Sequence, residues 1–172
     1  MEKPYLVDAP LKITFEIVSE ENREMFQKEF NSLSEAEADP IGHWLKIKKA
    51  KGETQDSDEV ILELLVELNR KIDRLEQIIK GEESKLIPLK NSGVIDSINF
   101  TQFQLKNIQL TPDTLYYGRV ELKIYPQRDI PIFFKAVSNN LAEIDKMHNR
   151  DEQDWGIYFR ARERVMIRER RR

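Results

Sequence analysis

Six apolar residues recur between positions 61 and 79 at alternating spacings of four and three: Ile61, Leu65, Leu68, Ile72, Leu75 and Ile79. This is a heptad repeat, with Leu65, Ile72 and Ile79 at a and Ile61, Leu68 and Leu75 at d. Only an α-helix brings residues at those separations onto one line. Segment 57–80 also carries helix punctuation. Asp56 or Ser57 can cap it, acids occupy its first turn, and Lys80-Gly81 supplies a C-terminal stop. At 1.5 Å per residue the helix is about 35 Å long. Leu62, Leu64, Val66 and Ile78 widen the stripe beyond a two-stranded seam, and three heptads are marginal for an isolated dimer. The helix is therefore expected to pack on its own domain or to form a larger bundle as well. The seam is read as an association surface, with purely intramolecular packing as the alternative and the oligomer number open.

Outside this segment the period changes. Residues 11–18 alternate Leu11, Ile13, Phe15 and Ile17 with mostly polar neighbours, which predicts a half-buried strand. Ser19 offers an N-cap to a helix in which Met25, Phe26, Phe30 and Leu33 recur at helical spacing. Asp39-Pro40 ends it, residues 43–49 read as a second short strand, and 49–58 reads as a flexible loop. From 84 onward short β segments are predicted at 85–89, 93–100, 103–110, 118–125, 130–138 and 156–161. Residues 139–154 are expected as a loop or short helix, and 161–171 as a terminal helix. Six short strands in so few residues suggest a small antiparallel barrel or sandwich, with Tyr116, Tyr117, Tyr125, Phe133, Phe134, Trp155, Tyr158 and Phe159 mostly in its core. The expected fold class is α+β. It comprises an N-terminal strand-helix extension and linker (1–56), a heptad association helix (57–81), and a six-stranded antiparallel barrel with a basic C-terminal helix (82–172).

Composition enters through charge. The chain of 172 residues has 28 Lys+Arg against 31 Asp+Glu, a formal −3. Residues 160–172 alone hold Arg160, Arg162, Arg164, Arg168, Arg170, Arg171 and Arg172 against two Glu, a local +5 that leaves −8 for the rest. This polarity argues against a protein that coats nucleic acid with its whole surface. The basic end invites a nucleic-acid or membrane-surface reading, but Val165 to Ile167 interrupt it and Glu163 and Glu169 partly neutralise it. Contact with an acidic surface of this chain or of a partner protein is the favoured reading, with Arg160 and Arg162 on an exposed strand face. The absence of cysteine excludes disulfides, thiolate nucleophiles and Cys-based metal sites. No apolar run reaches the ~18 residues of a membrane span, so a soluble, cytoplasmic protein is expected. His43 and His148 lie far apart without metal-ligand spacing, and the six glycines are isolated, so no catalytic residue, metal site or phosphate loop is assigned. A non-enzymatic protein is expected.

The order of heptad helix, six short strands, then an aromatic strand leading into a basic terminal helix resembles the PilZ domain. More narrowly, ILELLVELNRKIDRLEQII followed by a six-stranded unit resembles non-standard PilZ proteins that oligomerise through a heptad helix, and GIYFRARERVMIRE is similar to that fold's closing strand and helix. The resemblance covers about residues 57–172. It implies a PilZ-like barrel and a bacterial adaptor that binds a protein partner in flagellar motility or pilus function, at the cytoplasmic face of a membrane-embedded machine. The family's ligand is cyclic di-GMP, bound through RxxxR and [DN]xSxxG. Two arginines give planar, permanently charged donors to guanine edges and phosphates. The second motif maps onto Asn99 to Gln104, where Asn99 fits, Thr101 supplies a hydroxyl, and Gln104 stands in place of Gly. The first is formally present as Arg70 and Arg74, but on the polar face of the heptad helix rather than on a lead-in segment. The implied site, Arg70, Arg74, Asn99 and Thr101, is therefore degenerate, and no cofactor is expected. A cyclic di-GMP receptor is the alternative reading.

Overall fold

Odd-numbered residues from Val7 to Phe15 point one way and are almost wholly buried, while their even-numbered neighbours are exposed or half-buried. That period of two makes β1 (Val7–Ile17) a strand with one face in a core. The computed structural model describes residues 4–35, 40–81, 86–124 and 128–171. Five further strands follow: β2 (Asn91–Ile98), β3 (Gln102–Lys106), β4 (Leu115–Leu122), β5 (Arg128–Ala136) and β6 (Leu141–Lys146). Together they form a closed barrel in the order β1-β2-β3-β6-β5-β4, with every neighbouring pair antiparallel. Closure leaves no unpaired sheet edge. Pro10, which has no N–H to donate, falls in the register shift between Asp8 and Leu11, where the β1–β2 ladder is interrupted. Gly118 faces Phe15 across the β4–β1 pairing. A Cβ there would stand 2.8 Å from the Thr14 carbonyl oxygen and 3.2 Å from the Phe134 ring.

The chain divides into two compact units, one of Met1–Asn31 with Ile87–Arg172 and one of Ser32–Leu86. In the first, the barrel interior holds Leu11, Ile13, Phe15, Ile95, Phe103, Tyr116, Val120, Ile132 and Phe134, joined by Trp155, Tyr158 and Phe159 of helix α4 (Asn149–Arg170). A second apolar cluster lies on the barrel's outer side. Phe26 and Phe30 of helix α1 (Arg23–Glu35) pack on Tyr117 and Phe133, whose neighbours Tyr116 and Phe134 point inward. Arg128 ties α4 to β5 by ion pairs with Asp151 and Asp154.

The second unit contains helix α2 (Pro40–Ala50) and helix α3 (Glu59–Lys80). Asp58 caps α3, accepting from the N–H groups of Val60 and Ile61 at 2.9 and 3.2 Å, and Gly81 ends it with φ 69°. α2 packs on α3, and Leu45 and Val66 are buried.

Several expectations are corrected. The strand expected in an N-terminal extension is β1, a stave of the barrel itself. Residues 43–49 belong to α2, because Pro40 pre-sets the first helical φ and Leu45 with Lys46, Lys48 and Lys49 favours helix. Of segment 85–89, residues 86–89 are not a strand; Pro88 cannot donate to a ladder, and Ile87 and Leu89 pack on the outer cluster instead. Segment 156–161 is helical, since Trp155, Tyr158 and Phe159 bury one face at spacings of three and four. Within 139–154 lies the barrel strand β6, and α1 starts at Arg23, where Asn22 bridges the Ser19 N–H and the Ile17 carbonyl. The cap of α3 is Asp58 rather than Asp56 or Ser57.

Candidate functional site

Two surfaces bring functional residues together. The first is the heptad face of α3. Ile61, Leu65, Leu68, Ile72 and Leu75 are 54–57% exposed and Ile79 is 84% exposed, with Val60, Leu64 and Ile78 also uncovered beside them. The polar flank carries the Glu76–Lys80 pair at 2.6 Å and an Arg70–Glu67 pair at 3.1 Å. Burial on this helix falls on Val66 and Glu67, so the seam residues contribute almost nothing to the chain's own core.

The second surface is a cleft of about 600 Å³ lined by Tyr5, Asn99, Phe100, Thr101, Phe159, Arg160, Glu163 and Arg164. It is built where the β2–β3 turn meets α4. Asn99 makes that turn: its Oδ1 accepts from the N–H groups of Thr101 and Gln102 at 2.9 and 2.7 Å, and its N–H donates to the Gln102 carbonyl. Trp155 Nε1 donates to the Asn99 carbonyl at 2.8 Å, which fixes the turn to the helix. Phe100 at the turn apex packs on Phe159 with ring centroids 4.4 Å apart, and the Arg160 guanidinium lies 5.8 Å from the Phe100 ring. Arg160 and Arg164 are one helical turn apart and share a face of α4 with Glu163 beside them. Chemically, the cleft offers two planar cations, one carboxylate, three aromatic rings and two hydroxyls, a set with a net positive charge suited to an anion joined to an apolar or planar group.

Of the four residues expected as one ligand site, two line this cleft. Asn99 and Thr101 line the cleft, whereas Arg70 and Arg74 belong to α3 in the other compact unit. The arginines that join Asn99 and Thr101 are Arg160, expected with Arg162 on an exposed strand face, and Arg164, expected in the terminal helix. Arg162 is not part of that set; its Nε donates to the Asp8 carbonyl of β1 at 2.7 Å. Arg168 and Arg170 occupy the last turn of α4, where cations meet the negative end of the helix dipole, and Arg171 caps it. Arg172 lies outside the described residues, as does the side chain of His43. His148 stacks on Phe30 with centroids 3.9 Å apart, its Nε2 2.8 Å from the Phe30 carbonyl oxygen. Tyr5, Phe100 and Glu163 had drawn no functional reading from sequence. The one available signal was the spacing of Arg160 and Arg164, visible once this segment is read as helix.

Among the described residues no group of three or more His, Asp or Glu is arranged to hold a metal ion, and no helix is long and apolar enough to cross a membrane. Comparison of the chain with protein-family models, curated proteins and solved structures gives no match.

Proposed function

We propose that this chain is a non-enzymatic, PilZ-like adaptor that associates through α3 and engages a protein partner, in flagellar motility or pilus function. The observation that carries this reading is the uncovered heptad face. A continuous stripe of nine exposed apolar side chains on a 22-residue helix exceeds the scattered apolar exposure normal on a monomer surface. Such a face is worth about 25 cal/mol for each Å² it removes from water, so leaving it open in isolation forgoes a large stabilisation. The PilZ-like part is fold analogy, supported by the six-stranded antiparallel barrel, the Asn99–Thr101 turn and the helix that follows the last strand. Light scattering on Leu68→Asp/Leu75→Asp tests the association. The variant is expected to be a monomer whose barrel retains the near-ultraviolet signal of buried Trp155; an unchanged oligomer would overturn the reading.

A second reading, a cyclic di-GMP receptor, is favoured by one observation: the cleft gathers Asn99, Thr101, Arg160 and Arg164 with three aromatic rings. In this reading Arg160 and Arg164 take the place of Arg70 and Arg74. Calorimetry with cyclic di-GMP distinguishes the two. Micromolar binding that Arg164→Ala abolishes and Arg74→Ala leaves intact would establish the receptor reading, and absence of heat would remove it.

A further inference from the structure

We propose that the outer face of α4 and the aromatic turn beside it bind a single-stranded nucleic acid, with phosphates along the helix and bases on the rings. Arg160, Arg164, Arg168 and Arg171 are all exposed. At 3.6 residues per turn they fall within an arc of about 80°, on the side of α4 turned away from Trp155, Tyr158 and Met166 of the core. Arg171, at the C-cap, continues the helical backbone with φ −90° and ψ −7°. The stripe therefore runs about 16 Å along the axis. The ion pairs of α4 to the barrel lie in its first turns, where Asp151 and Asp154 meet Arg128, and among the described residues none engages these four arginines. Glu163 stands at the edge of the stripe and Glu169 on the opposite side of the helix, so the arginines are in excess. Val165 and Met166, which interrupt the basic run in sequence, are half-buried, and Ile167 stays 41% exposed between Arg164 and Arg171.

At its root the stripe meets aromatic rings. Phe100 and Tyr5 line the cleft yet are each 53% exposed. Phe100 is backed by Phe159, and its turn is tied to α4 by Trp155, so the ring is held in place with much of its surface open. Arginines alone would suit any polyanion. Open rings at the end of an arginine stripe favour one whose charged backbone carries planar groups, because bases stack on aromatic faces while phosphates meet guanidinium groups. A duplex hides its base faces in the stack, so these rings can reach bases only in a single strand. The −8 carried by residues 1–159 repels a polyanion elsewhere and confines it to this face.

Fluorescence anisotropy of a labelled twelve-nucleotide thymidine strand, titrated with the intact chain between about 50 and 200 mM salt, tests this. Four phosphate contacts give an expected slope of about −2.8 in log affinity against log salt, a loss of roughly 50-fold over that range. R168Q/R171Q, whose arginines lie outside the cleft, is expected to halve the slope to about −1.4, whereas a ligand held by the cleft alone would not respond. F100L keeps an apolar side chain against Phe159 and is expected to weaken binding ~10-fold with the slope unchanged. K46Q/K51Q removes the same charge from exposed positions of the other compact unit and is expected to bind as the wild type does. The near-ultraviolet signal of buried Trp155 confirms that each variant is folded. No binding at the lowest salt, a wild-type slope in R168Q/R171Q, or wild-type affinity in F100L would each overturn the proposal. So would a duplex of the same length bound as tightly as the strand. Attachment to phosphatidylserine vesicles in place of the strand would overturn it in favour of a membrane surface.

Discussion

Glu29 of α1 is 7% exposed, and its carboxylate meets partners from β4 and from the segment before β2. It accepts from the Tyr117 hydroxyl at 2.8 Å, from Arg119, and from the Ile87 N–H at 2.7 Å, while Arg119 also donates to the Ile87 carbonyl at 2.8 Å. One buried ion pair thereby fastens α1 and the segment before β2 to the outer side of β4. Removing one member of such a pair strands the other charge, so Glu29→Ala is expected to cost about 3–5 kcal/mol in denaturant unfolding. Burial, followed by the hydrogen bond to the Glu29 carboxylate, holds the Tyr117 hydroxyl well above the ordinary tyrosine range. A folded-state pKa raised in this way contributes stability that is complete below pH ~10 and declines as pH rises beyond it. Stability is therefore expected to fall by up to ~1.4 kcal/mol per pH unit above pH 10 on account of this one group. Tyr117→Phe should lower stability at pH 7 by about 1 kcal/mol and flatten the alkaline decline, as measured by urea unfolding at several pH values.

At the scale of elements, the β2–β3 turn shows how one residue serves both fold and cleft. The Asn99 side chain is committed to two N–H groups of its own turn, so Asn99→Ala is expected to cost ~1 kcal/mol and to lower the melting temperature by several degrees. Asn99→Asp keeps the acceptor and should retain most of that stability. Helices and strands were unequally legible in the sequence. α3 was plain because its period, its glycine stop and its acidic first turn all agree. Five of the six strands, β1 to β5, were legible from apolar alternation, although β1 reads as part of an extension rather than as a stave of the barrel. β6 was not, because Glu143, Asp145 and Lys146 leave it half exposed, and only its pairing with β3 and β5 makes it a strand. Trp155, Tyr158 and Phe159 carried a helical spacing, but aromatic residues after a glycine also read as a strand. The cleft could not be assembled from sequence because Tyr5, Phe100 and Phe159–Arg164 come from three separate segments.

For the whole molecule, the division into two compact units predicts separable behaviour. The barrel unit carries the larger buried core, and its Trp155 is 1% exposed, whereas Trp44 of the other unit is 56% exposed. Near-ultraviolet circular dichroism therefore reports on the barrel, and far-ultraviolet signal at 222 nm weights the helices. If α3 associates, the helical transition is expected to move to higher temperature with protein concentration while the barrel transition stays fixed. One concentration-independent transition seen by both probes would contradict this. The −3 net charge conceals a polarity of −8 and +5. Among the described residues the arginines of the basic end have different settings: Arg162 donates to the Asp8 carbonyl of β1, whereas Arg160 and Arg164 line the cleft.

The position of β1 also sets when the barrel can form. More than 70 residues separate it from β2, and Phe15 pairs across the ladder with Gly118. Hairpins β2–β3, β4–β5 and β5–β6 close over short loops, whereas both ladders of β1 require large loops to close first. Of the six strands, β1 is thus expected to find its neighbours last in refolding. Refolding in vitro should be limited by that late insertion, with the unpaired edges of β2 and β4 open to other chains until it happens.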